Sequence, residues 1–313
     1  FVSTTPDEAH VEQRGGIAVH LLHSRYATRW SPWYGLINPQ TVIPLTRTLR
    51  ALKPDIVHAH DVRTHLSYHS LVIGRRVGAG SVFTSRDTQP FAYHPLVLGA
   101  DRCDAIDYHL PFFANWKRAR LGWNPTRGLS IRHTMRYYTH AKIAVSEAHR
   151  SALAANGLRA FEVIHDGIEP GAAPSEAALA ALRQRLQLGE RRVILFPAGA
   201  PGQDGEPQIL AALRRMRRDL PDVALWVFGA DAARAERLRR ENVDLAGALL
   251  VPHDLDEATR PAACALADVI AFPRSVFEPW PLLVLEAQAV GTPAVVSCYG
   301  GAAEAVLDGD GGV

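Results

Sequence analysis

Apolar residues recur along the chain in two alternating rhythms. Short runs rich in β-branched residues predict strands at 1–4, 16–22 (GIAVHLL), 55–60 (DIVHAH), 81–84, 141–145, 161–164, 192–196, 223–228, 248–251, 269–272 and 293–297. Between them, apolar positions three and four apart predict helices over 45–52, 66–77, 176–186, 208–218, 232–240 and 256–267. Further helices run from Ser146, a natural cap, to the Asn156-Gly157 stop, and through Leu282, Leu285 and Ala289. Strands alternating this regularly with helices imply parallel sheets covered on both faces, an α/β architecture. Residues 23–42 and 88–127 show no period and read as loop, and 167–174, rich in Gly, Pro and Ala, reads as a linker. Domains at 1–170 and 171–313 follow.

A length of 313 residues suits two such domains, each with its own core. With 47% apolar and 21% charged residues the chain is ordinary globular protein, and a net charge of only +2 argues against a nucleic-acid partner. Cys103, Cys264 and Cys298 are far apart and form no C-x-x-C, so neither a disulfide framework nor a zinc site is indicated. A reducing cytoplasm is the expected compartment. No apolar run is long enough to span a bilayer, and the amino end has no basic-then-apolar leader. One stretch qualifies this picture. Residues 115–142 hold seven Lys or Arg and no acid, interleaved with Trp116, Trp123, Tyr137 and Tyr138. That composition suits an anionic acceptor or a peripheral membrane contact, and equally a plain solvated face.

Candidate chemistry concentrates in residues 267–304 (ADVIAFPRSVFEPWPLLVLEAQAVGTPAVVSCYGGAAE), which read as strand, loop, helix and strand. In a doubly wound sheet such a unit sets its loop and helix start at the carboxyl ends of the strands, where ligands bind. Pro279 and Pro281 suit a first helical turn, having no N–H to leave unpaired. A helix start attracts phosphate, and acceptor-only carboxylates such as Glu278 and Glu286 suit paired sugar hydroxyls. Together they fit a sugar carried on a nucleoside diphosphate. Taken alone, Glu278 is also read as a cap and Glu286 as a solvated helix residue.

The segment resembles the donor-binding signature of retaining glycosyltransferases of family four, the group 1 family. The words are Glu278-Pro279-Trp280, Glu286 after seven intervening residues, Gly291-Thr292-Pro293, Gly300-Gly301 and Glu304. The likeness extends back to about Val42, through KPDIVHAHD at 53–61, Ser146-Glu147 and His165-Asp166-Gly167-Ile168. It implies a GT-B-like fold of two Rossmann-like domains facing across a cleft. The implied activity is transfer of a sugar, with retention, from a nucleoside diphosphate sugar to a glycan, lipid or other acceptor. Glu278 would contact the transferred sugar and Glu286 the ribose. Gly199, Gly202, Gly205, Arg274, Pro281 and Leu282 would approach the donor, and His60 and Asp61 the acceptor. No cofactor or metal is called for, and the sequence holds no Asp-x-Asp pair or His cluster placed to bind one. The likeness also implies that a first strand with its glycine-rich loop precedes this chain and that closing helices follow it.

Departures from the pattern matter. Many relatives have a His-Asp pair where this chain has Arg86-Asp87. Both are kept as catalytic-cleft candidates without a catalytic histidine, a surface ion pair being the plainer reading. His58 reads as a satisfied interior histidine. The family's Gly-Arg and Lys-Gly, which neutralise the leaving diphosphate, become Ala200 and Asp204. One such cation contributes on the order of 3 kcal/mol to catalysis. Arg274 is the replacement by position. These departures, with Arg86, motivate one alternative, a catalytically impaired relative acting as a binding or scaffold protein; a sugar-nucleotide epimerase of the same architecture is another.

Overall fold

The computed structural model describes residues 1–97, 106–119, 122–169, 171, 173–255 and 257–306. The chain divides into two units, Phe1–Leu96 with Asp107–His165 and Val97–Ile106 with Asp166–Val313.

The first unit opens with β1 (Val2–Thr5), β2 (His10–Arg14) and β3 (Ile17–His23), in the order β1-β3-β2. β3 runs parallel to β1 and antiparallel to β2. The β2 strand was not expected, because HVEQR carries no apolar alternation. Its hairpin is closed by Gly15 and Gly16, whose φ of 56° and 81° supply the two left-handed residues a two-residue turn needs. Then come α1 (Ser31–Tyr34) and α2 (Pro39–Leu52), within or beginning in a stretch read as loop. Asn38 caps α2 by accepting the Gln40 N–H at 3.1 Å. β4 (Ile56–His60), α3 (His69–Arg76) and β5 (Gly80–Ser85) follow. Next are α4 (Phe112–Ala119), α5 (Arg127–Tyr137), β6 (Ala141–Ala144), α6 (Glu147–Ala155) and β7 (Glu162–Val163). Strands β4 to β7 form a parallel sheet in sequence order. α4 corrects the reading of 88–127 as irregular: its FFANWKRA has apolar residues at helical spacing over only two turns, and Phe112, Phe113 and Trp116 are exposed. Leu22, Leu45, Leu49 and Ile73 join β3, α2 and α3 in one buried cluster.

The second unit comprises α7 (Glu176–Arg185), β8 (Arg192–Pro197), α8 (Glu206–Met216), β9 (Val223–Phe228) and α9 (Ala232–Glu241). It continues with β10 (Leu249–Leu250), α10 (Arg260–Leu266), β11 (Val269–Phe272), α11 (Leu282–Ala289), β12 (Ala294–Val296) and α12 (Gly301–Val306). Its sheet is wholly parallel, in the order β10-β9-β8-β11-β12. Side chains of β8 and β9 alternate between two cores. Leu195, Trp226 and Ile270 pack with Val284 and Ala263 on one face, and Phe196 and Leu225 with Leu213 and Leu238 on the other. Every residue of β9 is buried, as a central strand covered on both faces requires. From β8 the chain winds outward through β9 and β10, then returns to build β11 and β12 on β8's other side. The winding therefore reverses between β8 and β11, the topological switch point where doubly wound sheets bind ligands.

One cysteine expectation is corrected: Cys298 is disulfide-bonded, whereas Cys264 is free and buried. Spacing along the chain does not reveal which thiols folding brings within bonding distance. Among the described residues no helix is long and apolar enough to cross a membrane.

Candidate active site

Three loops converge at the carboxyl edge of the second unit's sheet. The loop after β8 carries Gly199, Gly202, Asp204 and Gly205, and the loop after β11 carries Arg274 and Glu278. Ser275 stitches them together, its N–H donating to the Gln203 carbonyl at 3.0 Å and its hydroxyl to that of Gly202 at 3.3 Å. The loop after β12 closes on the same spot, where the Gly301 N–H donates to the Glu278 carbonyl at 2.8 Å. Gly300, at φ 71°, has room for no side chain: an added Cβ would lie 2.6 Å from that carbonyl.

Asp204 plays a different part from the one its sequence position suggests. It is wholly buried and faces Arg234 on α9 rather than a ligand. Its Oδ2 accepts Arg234 Nη2 at 2.5 Å and the Gly199 N–H at 3.0 Å, and its Oδ1 accepts the Glu206 N–H at 3.3 Å. Arg234 also donates to Glu206 at 2.9 Å and to the Gly199 carbonyl at 2.7 Å. Arg237 completes the network on Glu206 at 2.7 Å. Burial alone would raise the Asp204 carboxyl, but hydrogen bonds from Arg234 and Gly199 hold it below the usual carboxylate range. The acid is thus neutralised inside the fold. Both backbone groups of Gly199 are consumed as well, so this glycine shapes the loop instead of offering its N–H to a phosphate.

Arg274 occupies the space beside Gly199. An alanine Cβ at 199 would overlap Arg274 Nη1, and the guanidinium stacks on Phe272 at 4.3 Å. Burial lowers the pKa of Arg274, opposed by the nearby carboxylates of Glu278 and Asp204. Burial likewise pushes the Glu278 carboxyl up, with Arg274 and a Trp280 backbone hydrogen bond pulling it down. Arg274, Glu278 and the Gly199 loop are therefore one electrostatic unit. Gly205, at φ 82°, precedes α8, and its missing Cβ lets the Pro273 carbonyl approach.

Pro281 caps α11 in an extended conformation and is not part of the first helical turn, which starts at Leu282. Leu282 is exposed. Glu286, one turn further on, pairs through Oε2 with Arg260 Nε at 2.9 Å, and Trp280 fixes the preceding loop by donating its indole N–H to the Asp166 carbonyl at 2.8 Å. Arg234, Arg260 and Trp280 had no assigned role in the sequence. Arg234 lies 30 residues from Asp204. The only trace of the contact is two acids two apart and two arginines three apart.

In the first unit, His60 ends β4 and its Nδ1 meets Arg86 Nη1 at 2.9 Å. Asp61 follows, exposed and left-handed at φ 46°. Arg86 and Asp87 do not pair with each other: Asp87 forms its ion pair with Arg63. Burial raises the Asp87 carboxyl, and Arg63 opposes it. His58 is exposed, not interior, though it is satisfied by Thr84 Oγ1 at 2.8 Å and stacks on His60 at 4.0 Å. Among the described residues the buried histidine is His149, whose Nε2 lies 2.9 Å from the Asp87 carbonyl and whose pKa burial lowers to about 4. Trp116 and Tyr137, in the basic stretch 115–142, are exposed.

Residues 1–171 match the family model for Glycosyltransferase Family 4, and residues 180–313 that for Glycosyl transferases group 1. The chain belongs to glycosyltransferase family 4. The GDP-mannose-dependent alpha-(1-6)-phosphatidylinositol monomannoside mannosyltransferase of Mycolicibacterium smegmatis is 33% identical over 51% of this chain and 44% of its own length. Glycogen synthase of Mycobacterium tuberculosis is 28% identical over 85% of this chain and 57% of its own length. The chain thus spans about half the length of these curated relatives. The fold is also that of sucrose-phosphate synthase from Thermosynechococcus elongatus, with a TM-score of 0.69 at 18% identity over 99% of this chain and 73% of that one. The Anabaena HepE structure with UDP-glucose gives 0.63 at 18% identity over 92% and 69%. The two Rossmann-like units are those of the GT-B fold.

Proposed function

We propose that the protein transfers a sugar from a nucleoside diphosphate sugar to a hydroxyl acceptor, with retention at the anomeric carbon. The carrying observation is the meeting of Arg274, Glu278 and the Gly199 loop at the β8/β11 switch point. In the reaction the anomeric C–O bond to the diphosphate breaks, and the nucleoside diphosphate leaves with the electron pair. A bond forms to the acceptor oxygen, whose proton passes to the departing diphosphate. Arg274 supplies the positive charge that Ala200 and Asp204 do not, close to where charge develops on the leaving group. Glu278 accepts from hydroxyls of the transferred sugar. Glu286 receives the ribose hydroxyls on the oxygen that Arg260 leaves open. The acceptor is held by the first unit, with Arg86, Asp87, His60 and Asp61 beside it.

The pairing of Asp204 with Arg234 weakens one of the three motives for a scaffold reading, since that acid is not offered to the diphosphate, while Ala200 and Arg86 remain departures that the donor assay tests. The names of relatives supply two donors to try, GDP-mannose and UDP-glucose. Release of nucleoside diphosphate from either, abolished by Arg274→Gln, is expected. Binding of neither donor, or turnover unaffected by Arg274→Gln, would overturn the reading.

A further inference from the structure

Glu286 has a neighbour that the chemistry above leaves without a task. The chain returns to the carboxyl edge of the second unit's sheet after β10 and again after β11, and a helix starts from each return, α10 and then α11. Arg260 opens α10, and Ala263 and Cys264, three and four residues on, share its helix face. That face packs against Val284 and Ala287 of α11 in one buried cluster. The same packing brings Arg260 alongside Glu286. A further tie fixes the arrangement, because Thr292, just past α11, donates its hydroxyl to the Cys264 carbonyl at 2.7 Å.

Arg260 stands between two carboxylates. Its Nε lies 2.9 Å from Glu286 Oε2, and its Nη1 lies 2.8 Å from Oε2 of Glu257, one turn earlier. The Glu257 side chain is 75% exposed, so water screens that pair and leaves it little weight. The Glu286 side chain is 29% exposed, half-buried at the edge where such sheets take ligands. A glutamate side chain turns about three bonds, and a ligand that must immobilise it loses affinity in doing so. Arg260 does the immobilising beforehand, through one oxygen. An ionised carboxylate has about four acceptor sites on its two oxygens, so the pair leaves Glu286 able to accept from hydroxyls.

We propose that Arg260 is a positioning residue for donor recognition: by fixing Glu286 it sets the discrimination between nucleotides that carry a ribose diol and those that do not. The inference rests on the reading of Glu286 as the ribose residue. It adds that this recognition depends on a side chain that does not itself touch the nucleotide.

The test is calorimetric titration of the full chain with GDP and UDP, each beside its 2′,3′-dideoxy analogue. Wild type, Arg260→Gln, Arg260→Lys and Glu286→Ala are compared. Wild type is expected to bind one of the two ribonucleotides about 10–150-fold more tightly than its analogue, the worth of a charged hydrogen bond. Glu286→Ala is expected to erase that preference. Arg260→Gln is expected to weaken the ribonucleotide about two- to tenfold, the cost of immobilising one side chain, with analogue binding and the melting curve unchanged. Arg260→Lys, which restores the charge without the planar fork, is expected to recover part of the loss. A purely structural role would weaken both nucleotides alike and lower the melting curve, and that result overturns the proposal. Tighter ribonucleotide binding by Arg260→Gln also overturns it, since Arg260 would then compete for the carboxylate. A preference lost in Glu286→Ala but intact in Arg260→Gln sinks this inference alone. A preference intact in Glu286→Ala, or no nucleotide binding by wild type, sinks the ribose reading and this one with it.

Discussion

Replacing Asp204 with alanine separates a structural acid from one that opposes phosphate. If Asp204 faced the donor, its removal would leave stability unchanged and strengthen diphosphate binding. The buried geometry predicts the opposite. The carboxylate accepts three hydrogen bonds, from Arg234, Gly199 and Glu206. Arg234 keeps Glu206 as a partner, so it is not stranded outright. The two backbone N–H groups are, and each buried donor left unmade costs about 1–3 kcal/mol. Adding the weakened ion pair gives a loss of roughly 3–5 kcal/mol. For a unit of this size that lowers Tm by about 6–20 °C. The same carboxyl sits below its ordinary range, so its contribution is complete above the unfolded carboxylate range and fades as pH falls through the folded value. Thermal and urea melts of wild type and Asp204→Ala at neutral pH are the assay. An unchanged midpoint, or tighter donor binding without loss of stability, would refute the structural role.

Gly199→Ala is expected to cost under about 1 kcal/mol in stability, because the overlapping group is the end of a flexible side chain, yet to weaken donor binding about tenfold by displacing Arg274. Melting curves and donor titration together check it. Gly300→Ala should destabilise by roughly 2–3 kcal/mol, since alanine at φ 71° is strained and its Cβ presses on the Glu278 carbonyl; urea denaturation reads this directly. His149 is held neutral, with its pKa lowered from 6.5 to about 4, so protonating it in the fold costs about 3 kcal/mol. The unfolded chain binds that proton more readily, so stability should fall as pH drops from about 6.5 towards 4 and be flat above. His149→Gln should flatten that part of the stability–pH curve relative to wild type.

The strand-and-helix alternation was most legible where burial is complete. VALWVF at 223–228 has no choice but to be a central strand, and the unit around it follows. What escaped were elements whose apolar residues face solvent or whose pairing is borrowed from a neighbour. β2 is polar and held by a glycine hairpin, and α4 shows its aromatics to solvent. At the site, Glu278 and Arg274 were legible as neighbours in sequence, and folding does couple their charges. Asp204 misled because its partner lies on another helix; in sequence it looks like a charge added to a phosphate loop, whereas in space it is the loop's internal brace. The separation of Arg86 from Asp87 has the same origin, as each adjacent residue turns to a partner on the β4 side. The Cys298 disulfide was hidden for a similar reason.

Calorimetric titration of the full chain with GDP-mannose and UDP-glucose, repeated with Arg274→Gln and Glu286→Ala, tests the central claim most directly. A charged hydrogen bond lost from each variant is worth about 1.5–3 kcal/mol, so one of the donors should bind the wild type and bind each variant roughly 10–150-fold more weakly. Donor affinities equal in all three proteins, or absent in the wild type, would contradict it.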